Sequence, residues 1–355
     1  AAVAALRSAM ESLAALLGDG GCGGALGEMR RYLVLSKLSE GGKTLARDAA
    51  EAAAAARWHE ALANEALCRE MYAVVETQPS CFNDQLAAAV TLRRRAGDAA
   101  AADALVALAN AHGRAATRWA TQLQTPRVFD PALAARPWWD GSGFAVVREL
   151  EAAWADGRIG ADLKRLGIVA GGGGGGTERF ERIVSTGTPI DGQPGADGDA
   201  AGVWSEFMLY DGHAWRDDRC AVASALCSVL RGAAETNGAI LHANGSVKHA
   251  AQGQTTLFRL RPGARVLPHV GVTNRRLVVQ FPLAGFDGVR FRVGDEWRGY
   301  EEGRALVFDD SFEHEVVHGG EADRFVLYTV VHHPELGTPQ MVGEGAEACG
   351  ARDLD

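Results

Sequence analysis

The run Val307-Phe308-Asp309-Asp310-Ser311-Phe312-Glu313-His314-Glu315-Val316 decides how this chain folds. An apolar pair, an acidic turn and a second alternating stretch read as strand, tight turn and strand, with a histidine where the second strand restarts. Upstream, Pro268-His269-Val270-Gly271-Val272-Thr273-Asn274 puts another histidine at the head of a second strand run. Arg324, ten residues after His314, opens the last apolar strand. Two histidines on neighbouring strands and an arginine one strand away suggest an open metal site with a carboxylate co-ligand. Neutral imidazole suits iron, zinc or copper.

Outward from this run, short strands are expected at 204–210, 255–260, 277–283, 289–293, 304–308, 314–318 and 324–331, spaced by Gly, Asp and Asn turns. A helix is expected over roughly 218–237. No helices separate the late strands, which disfavours a parallel α/β sheet and favours a small antiparallel barrel or jelly roll that protects its edges. Residues 1–124 read as helix throughout: alanine dominates, with leucine, arginine and glutamate. Breaks at 18–24, 41–42, 78–80 and Gly97 divide that region into helical hairpins, either repeat-like or a cap for the β-rich domain.

The expected architecture is α+β, with a helical region 1–124 followed by a domain 125–355 whose β core spans about 203–336. Residues 171–202 form a glycine-rich insertion expected to be flexible. Its six consecutive glycines at 171–176 lack the Lys-Ser or Lys-Thr of a phosphate loop. Pro137-Trp138-Trp139 reads as an anchor onto another surface.

The net charge of −9 over 355 residues argues against nucleic-acid binding. No apolar run approaches the roughly 18 residues of a membrane span. The chain begins at Ala1, so a processed or truncated N-terminus is expected, and the compartment is left open. The six cysteines form no CxxC pair and are too sparse for a disulfide scaffold. Cys220 and Cys227 are seven apart in a stretch read as helix, where two turns separate them by about 10 Å. Buried free thiols are therefore expected there.

Non-heme iron sites commonly take two histidines and one carboxylate. The carboxylate normally lies two residues after the first histidine, and Gly271 stands there. On residues alone, two histidines in a β-domain are more often unrelated than co-ligands. Asp309 and Asp310 are expected to serve the turn, although a carboxylate there could orient an imidazole. Arg275 and Arg276 either meet an acidic substrate or face solvent. His332 and His333 read as structural.

Residues 255–336 resemble the aspartyl/asparaginyl β-hydroxylase family of iron(II)/2-oxoglutarate oxygenases. The resemblance is carried by Arg261-Pro262-Gly263, Pro268-His269, Gly271, Thr273-Asn274 and Arg276-Leu277. It continues through Val293-Gly294-Asp295-Glu296, Glu302-Gly303, the run 308–316 and His333-Pro334-Glu335-Leu336. Weaker likeness reaches Pro137-Trp138-Trp139 and Trp204–Tyr210. It implies a double-stranded β-helix, Fe(II) held by His269 and His314 with water in place of the third ligand, and 2-oxoglutarate paired with Arg324. It also implies hydroxylation, with O2, of an Asp or Asn residue in a protein or peptide. Helical repeats often precede the oxygenase domain in this family, which favours the tetratricopeptide-like reading of residues 1–124.

Three positions depart from the family pattern on the cosubstrate side: Phe258 replaces a serine, Val278 an arginine and Gln280 a histidine. Gln280 still offers a hydrogen bond; the other two supply none. Losing two charge-assisted bonds, at about 1.5–3 kcal/mol each, weakens binding by about two orders of magnitude or more. The alternative reading is a diverged oxygenase fold that binds metal or a partner without turnover.

Overall fold

The computed structural model describes Leu35, Leu38 and residues 48–64, 81–112, 118–168, 179–183, 190–191, 203–250 and 253–341. The glycine run 171–176, the expected breaks at 18–24, 41–42 and 78–80, and Cys22, Cys68 and Cys349 lie outside these residues.

Three helices open the described chain: α1 (Ala49–Asn64), α2 (Cys81–Arg95) and α3 (Ala99–His112). Asp48 and Asp98 cap α1 and α3 by accepting the backbone N–H groups of Glu51 and Ala101. Gly97, at φ +77°, ends the α2 turn in the left-handed conformation that glycine adopts without strain. Phe82, Leu86 and Val90 of α2 then pack on Ala102, Val106 and Ala109 of α3 as a hairpin. Residues 118–124 are not helical, contrary to expectation. They leave α3 and dock on the 309–313 turn, where Leu123 O accepts Glu313 N–H and Gln124 Nε2 donates to Ser311 Oγ.

Next come β1 (Trp138–Trp139), α4 (Ala145–Ala155), α5 (Gly160–Arg165), β2 (Glu181–Arg182), β3 (Ile190–Asp191) and β4 (Trp204–Tyr210). They are followed by α6 (Asp217–Val222), α7 (Ser224–Arg231), α8 (Ala234–Asn237) and the hairpin β5 (Ile240–Leu241) and β6 (Val247–His249). The remaining strands are β7 (Thr255–Leu260), β8 (Arg265–His269), β9 (Arg276–Ala284), β10 (Val289–Val293), β11 (Glu296–Arg298), β12 (Leu306–Phe308), β13 (His314–His318) and β14 (Arg324–His332).

Apart from the separate β5-β6 hairpin, these strands build two antiparallel sheets, ordered β1-β12-β9-β14-β7-β4-β2 and β11-β10-β13-β8-β3. From β7 to β14 the chain alternates strand by strand between the two sheets, except that the hairpin β10–β11 stays in the smaller one, as in a double-stranded β-helix, and the expected α+β architecture stands. Strand alternation splits the core in two. One face of the larger sheet, with Leu257, Val279, Phe281 and Leu327, packs on Leu150 and Leu230 from the helices. Its other face, with Leu260, Val278 and Phe308, meets Val289, Phe291 and Val316 of the smaller sheet. Trp138 lies edge-on to Phe291, so β1 closes the larger sheet as an anchored edge.

Three further expectations fail locally. The helix read over 218–237 is three short helices, because the chain breaks at Ala223 (φ −112°, ψ 50°) and again at Ala233 (φ −84°, ψ 100°). The fully buried Asp162 carboxylate accepts Leu226 N–H at 2.9 Å and pins the start of α7. The break brings the Cys220 and Cys227 Cα atoms to 5.6 Å, and the two form a disulfide rather than free thiols. Secondly, residues 190–191, read as part of a loop, form β3 and pair with β8. Thirdly, His269 ends a strand instead of heading one. Among the described residues, no helix is long and apolar enough to cross a membrane.

Candidate metal centre

Pro268 lacks a backbone N–H, so β8 cannot continue its ladder through this position. The β8–β13 register shifts there: Val266 faces Val316, yet His269 directly faces His314. The bulge re-aims the end of β8 and places the two imidazoles 4.1 Å apart between ring centroids. Each ring is held by the same local device. His269 Nδ1–H donates to Leu267 O, and His314 Nδ1–H to Phe312 O, both at 2.8 Å. In this tautomer Nε2 carries the lone pair, the arrangement of a metal-binding histidine. Burial pulls the His314 imidazole below its usual range while the Asp310 carboxylate opposes this, and the ring is neutral at pH 7.

No group of three or more His, Cys, Asp or Glu among the described residues is placed to hold a metal. Gly271 explains why. A Cβ added there would lie 2.5 Å from both Cγ and Oδ2 of Asp310, so the Asp310 carboxylate fills the space of a side chain at 271. Gly271 N–H donates to Asp310 O at 2.7 Å, locking the two segments together. Asp310 is buried, takes an ion pair from Arg276 at 3.2 Å, and keeps Oδ1 buried without a hydrogen-bond partner. The two imidazoles are therefore the protein ligands this site offers a cation, with the Asp310 charge near His314 rather than in the ligand set. Asp309 plays the turn role expected of it: Oδ1 accepts Ser311 N–H, and burial pushes its carboxyl up to about 8.

On the other side of Phe291 lies a second polar cluster. The Phe291 ring stands edge-on to His314 and stacks parallel to Tyr300. Arg324 is 3% exposed, and its Nη2 donates to Gln280 Oε1 at 2.8 Å and to Tyr300 Oη. Among the described residues no carboxylate pairs with it, and its Nε is buried without a hydrogen-bond partner. Asp323, its chain neighbour, is taken by Arg259 at 2.6 Å. A buried guanidinium without a counter-charge is expensive to maintain and matches a carboxylate ligand.

Residues 180–334 match the family model described as aspartyl/asparaginyl beta-hydroxylase. This part of the chain is similar to that family. Over 140 residues it is 36% identical to the aspartyl/asparaginyl beta-hydroxylases of Mus musculus and Homo sapiens, covering 39% of this chain. The match spans only 17% of the length of those relatives. Aspartate beta-hydroxylase domain-containing protein 2 of Mus musculus is 34% identical over 91 residues, 25% of this chain and 26% of that protein. Among solved structures, a cupin-like protein of Thermotoga maritima aligns over 46% of this chain and 86% of its own, at 13% identity and a TM-score of 0.24.

Within this β-hydroxylase-like region the expected site residues fall into two groups. His269 and His314 converge, with Arg276 joined to them through Asp310. Gln280 and Arg324 converge separately. Arg275 stands apart, its Nε 3.8 Å from Asp130. His332 and His333 bond to the backbone oxygens of Gly238 and Ala134, which agrees with a structural role. Phe258 packs on Trp204 and Tyr328, and Val278 is wholly buried, so neither brings a polar group to the pocket. Sequence reasoning missed Tyr300 and the inward turn of Asp310. Tyr300 lies in a polar loop without periodicity, and its only signal was an aromatic residue where turn residues prevail.

Proposed function

We propose that this chain is an iron(II)- and 2-oxoglutarate-dependent dioxygenase that hydroxylates the β-carbon of an Asp or Asn residue in a protein or peptide. The observation that carries this reading is the facing, tautomer-fixed pair His269 and His314. His269 and His314 hold the iron, and Asp310 contributes the negative charge that a ligand at position 271 would otherwise bring. When bound, iron(II) with 2-oxoglutarate and O2 supplies the oxidising power that an unactivated C–H bond requires. The chain's part is binding and orientation. Arg324 anchors the distal carboxylate of 2-oxoglutarate, assisted by Gln280. Phe291, Phe308 and Val278 keep that space dry, which strengthens each polar contact inside it. Arg276, which pairs with Asp310, and Arg275, which pairs with Asp130, are the candidate contacts for an acidic substrate residue. The described residues from 125 onward belong to the oxygenase unit, and helices α1 to α3 are its partner.

The decisive measurement is release of succinate from 2-oxoglutarate with iron(II), O2 and a set of Asp- and Asn-containing peptides, with His314→Ala as control. Turnover by the wild type and its loss in the variant are expected. Equal silence of both proteins, or equal turnover, would sink the reading. The loss of polar groups at Phe258 and Val278 favours a second reading, a domain that binds metal without turnover. Cobalt(II) binding with a normal wild-type affinity but no succinate release selects it.

A further inference from the structure

The proposed function assigns Arg324 to a carboxylate but leaves it with one side-chain helper on the strands. We propose that Tyr300 completes the carboxylate clamp, replacing the polar groups absent at Phe258 and Val278 with a hydroxyl from another part of the fold. The inference rests on the proposed function, and its test separates the two.

The geometry marks where the carboxylate would sit. Gln280 Oε1 lies at the focus of two donors, the Tyr300 hydroxyl at 2.6 Å and Arg324 Nη2 at 2.8 Å. A carboxylate oxygen that displaced this neutral amide oxygen would take both bonds in charge-assisted form and leave the Gln280 Nε2–H to donate to it. Tyr300 is held rigidly for the task. Its ring stacks parallel to Phe291, and Arg324 Cζ lies 4.9 Å from its centroid, a cation–π contact that fixes the guanidinium as well. Burial raises the phenol above its ordinary range, so at neutral pH it keeps its proton and acts as a donor. Phe258 and Val278 lie on β7 and β9, whereas Tyr300 comes from the loop between β11 and β12. The donor set is therefore rebuilt from a loop rather than from those strands, with one positive charge and neutral helpers.

The test compares two five-carbon keto acids, 2-oxoglutarate and 2-oxopentanoate, which differ in the distal carboxylate. Their binding to the manganese(II)-loaded protein is measured by titration calorimetry without O2, for the wild type and Tyr300→Phe. The phenylalanine ring keeps the stacking on Phe291 and the face offered to Arg324; only the hydroxyl is lost. The wild type should prefer 2-oxoglutarate. Tyr300→Phe should weaken 2-oxoglutarate by about 10- to 100-fold and leave 2-oxopentanoate and manganese(II) affinities unchanged. Should Tyr300→Phe not fold, Tyr300→Leu, which also lacks the donor, carries the same comparison. Equal losses for both keto acids, or no loss for either, overturn the role of Tyr300 while leaving the proposed function standing. A wild type that binds metal but shows no preference for 2-oxoglutarate overturns both.

Discussion

Asp310 and Gly271 share one volume, and that single exchange sets the character of the histidine pair. Restoring a carboxylate at position 271 is therefore not a simple gain. Gly271→Asp should drive its Cβ into the Asp310 carboxylate and destabilise the fold by about 1–3 kcal/mol, the usual range for overpacking. Adding Asp310→Gly should recover most of that loss; additive destabilisation in chemical denaturation would refute the shared-volume account. Asp310→Ala alone should lower cobalt(II) affinity by about 10- to 100-fold, as loss of a group orienting metal ligands does. Asp309 makes a different prediction. Its carboxyl ionises near about 8 in the fold, because burial disfavours the charge, but near 4 in the unfolded chain. Between those values the folded state holds the extra proton. Stability from this group is thus full below about pH 4, falls as pH rises and is lost above about 8. Asp309→Asn keeps an acceptor for Ser311 N–H and removes the titration. Its Tm should fall less between pH 5 and pH 8 than that of the wild type, and identical slopes would contradict the assignment.

Among the elements, the Cys220–Cys227 bridge joins two helices that the sequence presents as one. The bridge closes a short loop across the break at Ala223. A chain-entropy account gives a loop of this length a stabilisation of about 2 kcal/mol. Cys220→Ser with Cys227→Ser should lower the urea midpoint accordingly while leaving the His269–His314 pair intact, which unchanged cobalt(II) binding would register. The other decisive element feature is the β8 bulge, where one missing N–H at Pro268 sets the direction of His269.

At the scale of the molecule, the helical region reaches the histidine strand through a chain of charges. Arg94, in the last turn of α2, donates to both oxygens of Glu313 at 3.3 Å. Glu313 precedes His314 in sequence and is held on its other side by Arg292 at 3.0 Å, which also binds Glu315. With Glu313 2% exposed, this link is shielded from solvent and salt. A double-mutant cycle of Arg94→Ala and Glu313→Gln should yield a coupling of about 1 kcal/mol in unfolding free energy. Zero coupling would mean the helices and the β-domain share no energetic path here.

Sequence alone determined seven strands of the β-domain and its jelly-roll class, but not β8, the strand that His269 ends. Period-two alternation and glycine or acidic turns are local signals, and strands 255–260, 289–293 and 314–318 are legible to the residue for that reason. Tertiary structure decided everything that depends on groups far apart in the chain. Asp162 cuts a helix 64 residues away by capping it, which turns two expected thiols into a bridge. Asp310 enters the space of Gly271, and Tyr300 joins Arg324, only once two sheets close on each other. Local pattern reports which face a residue occupies; whom it meets across the barrel depends on the packing of both sheets at once.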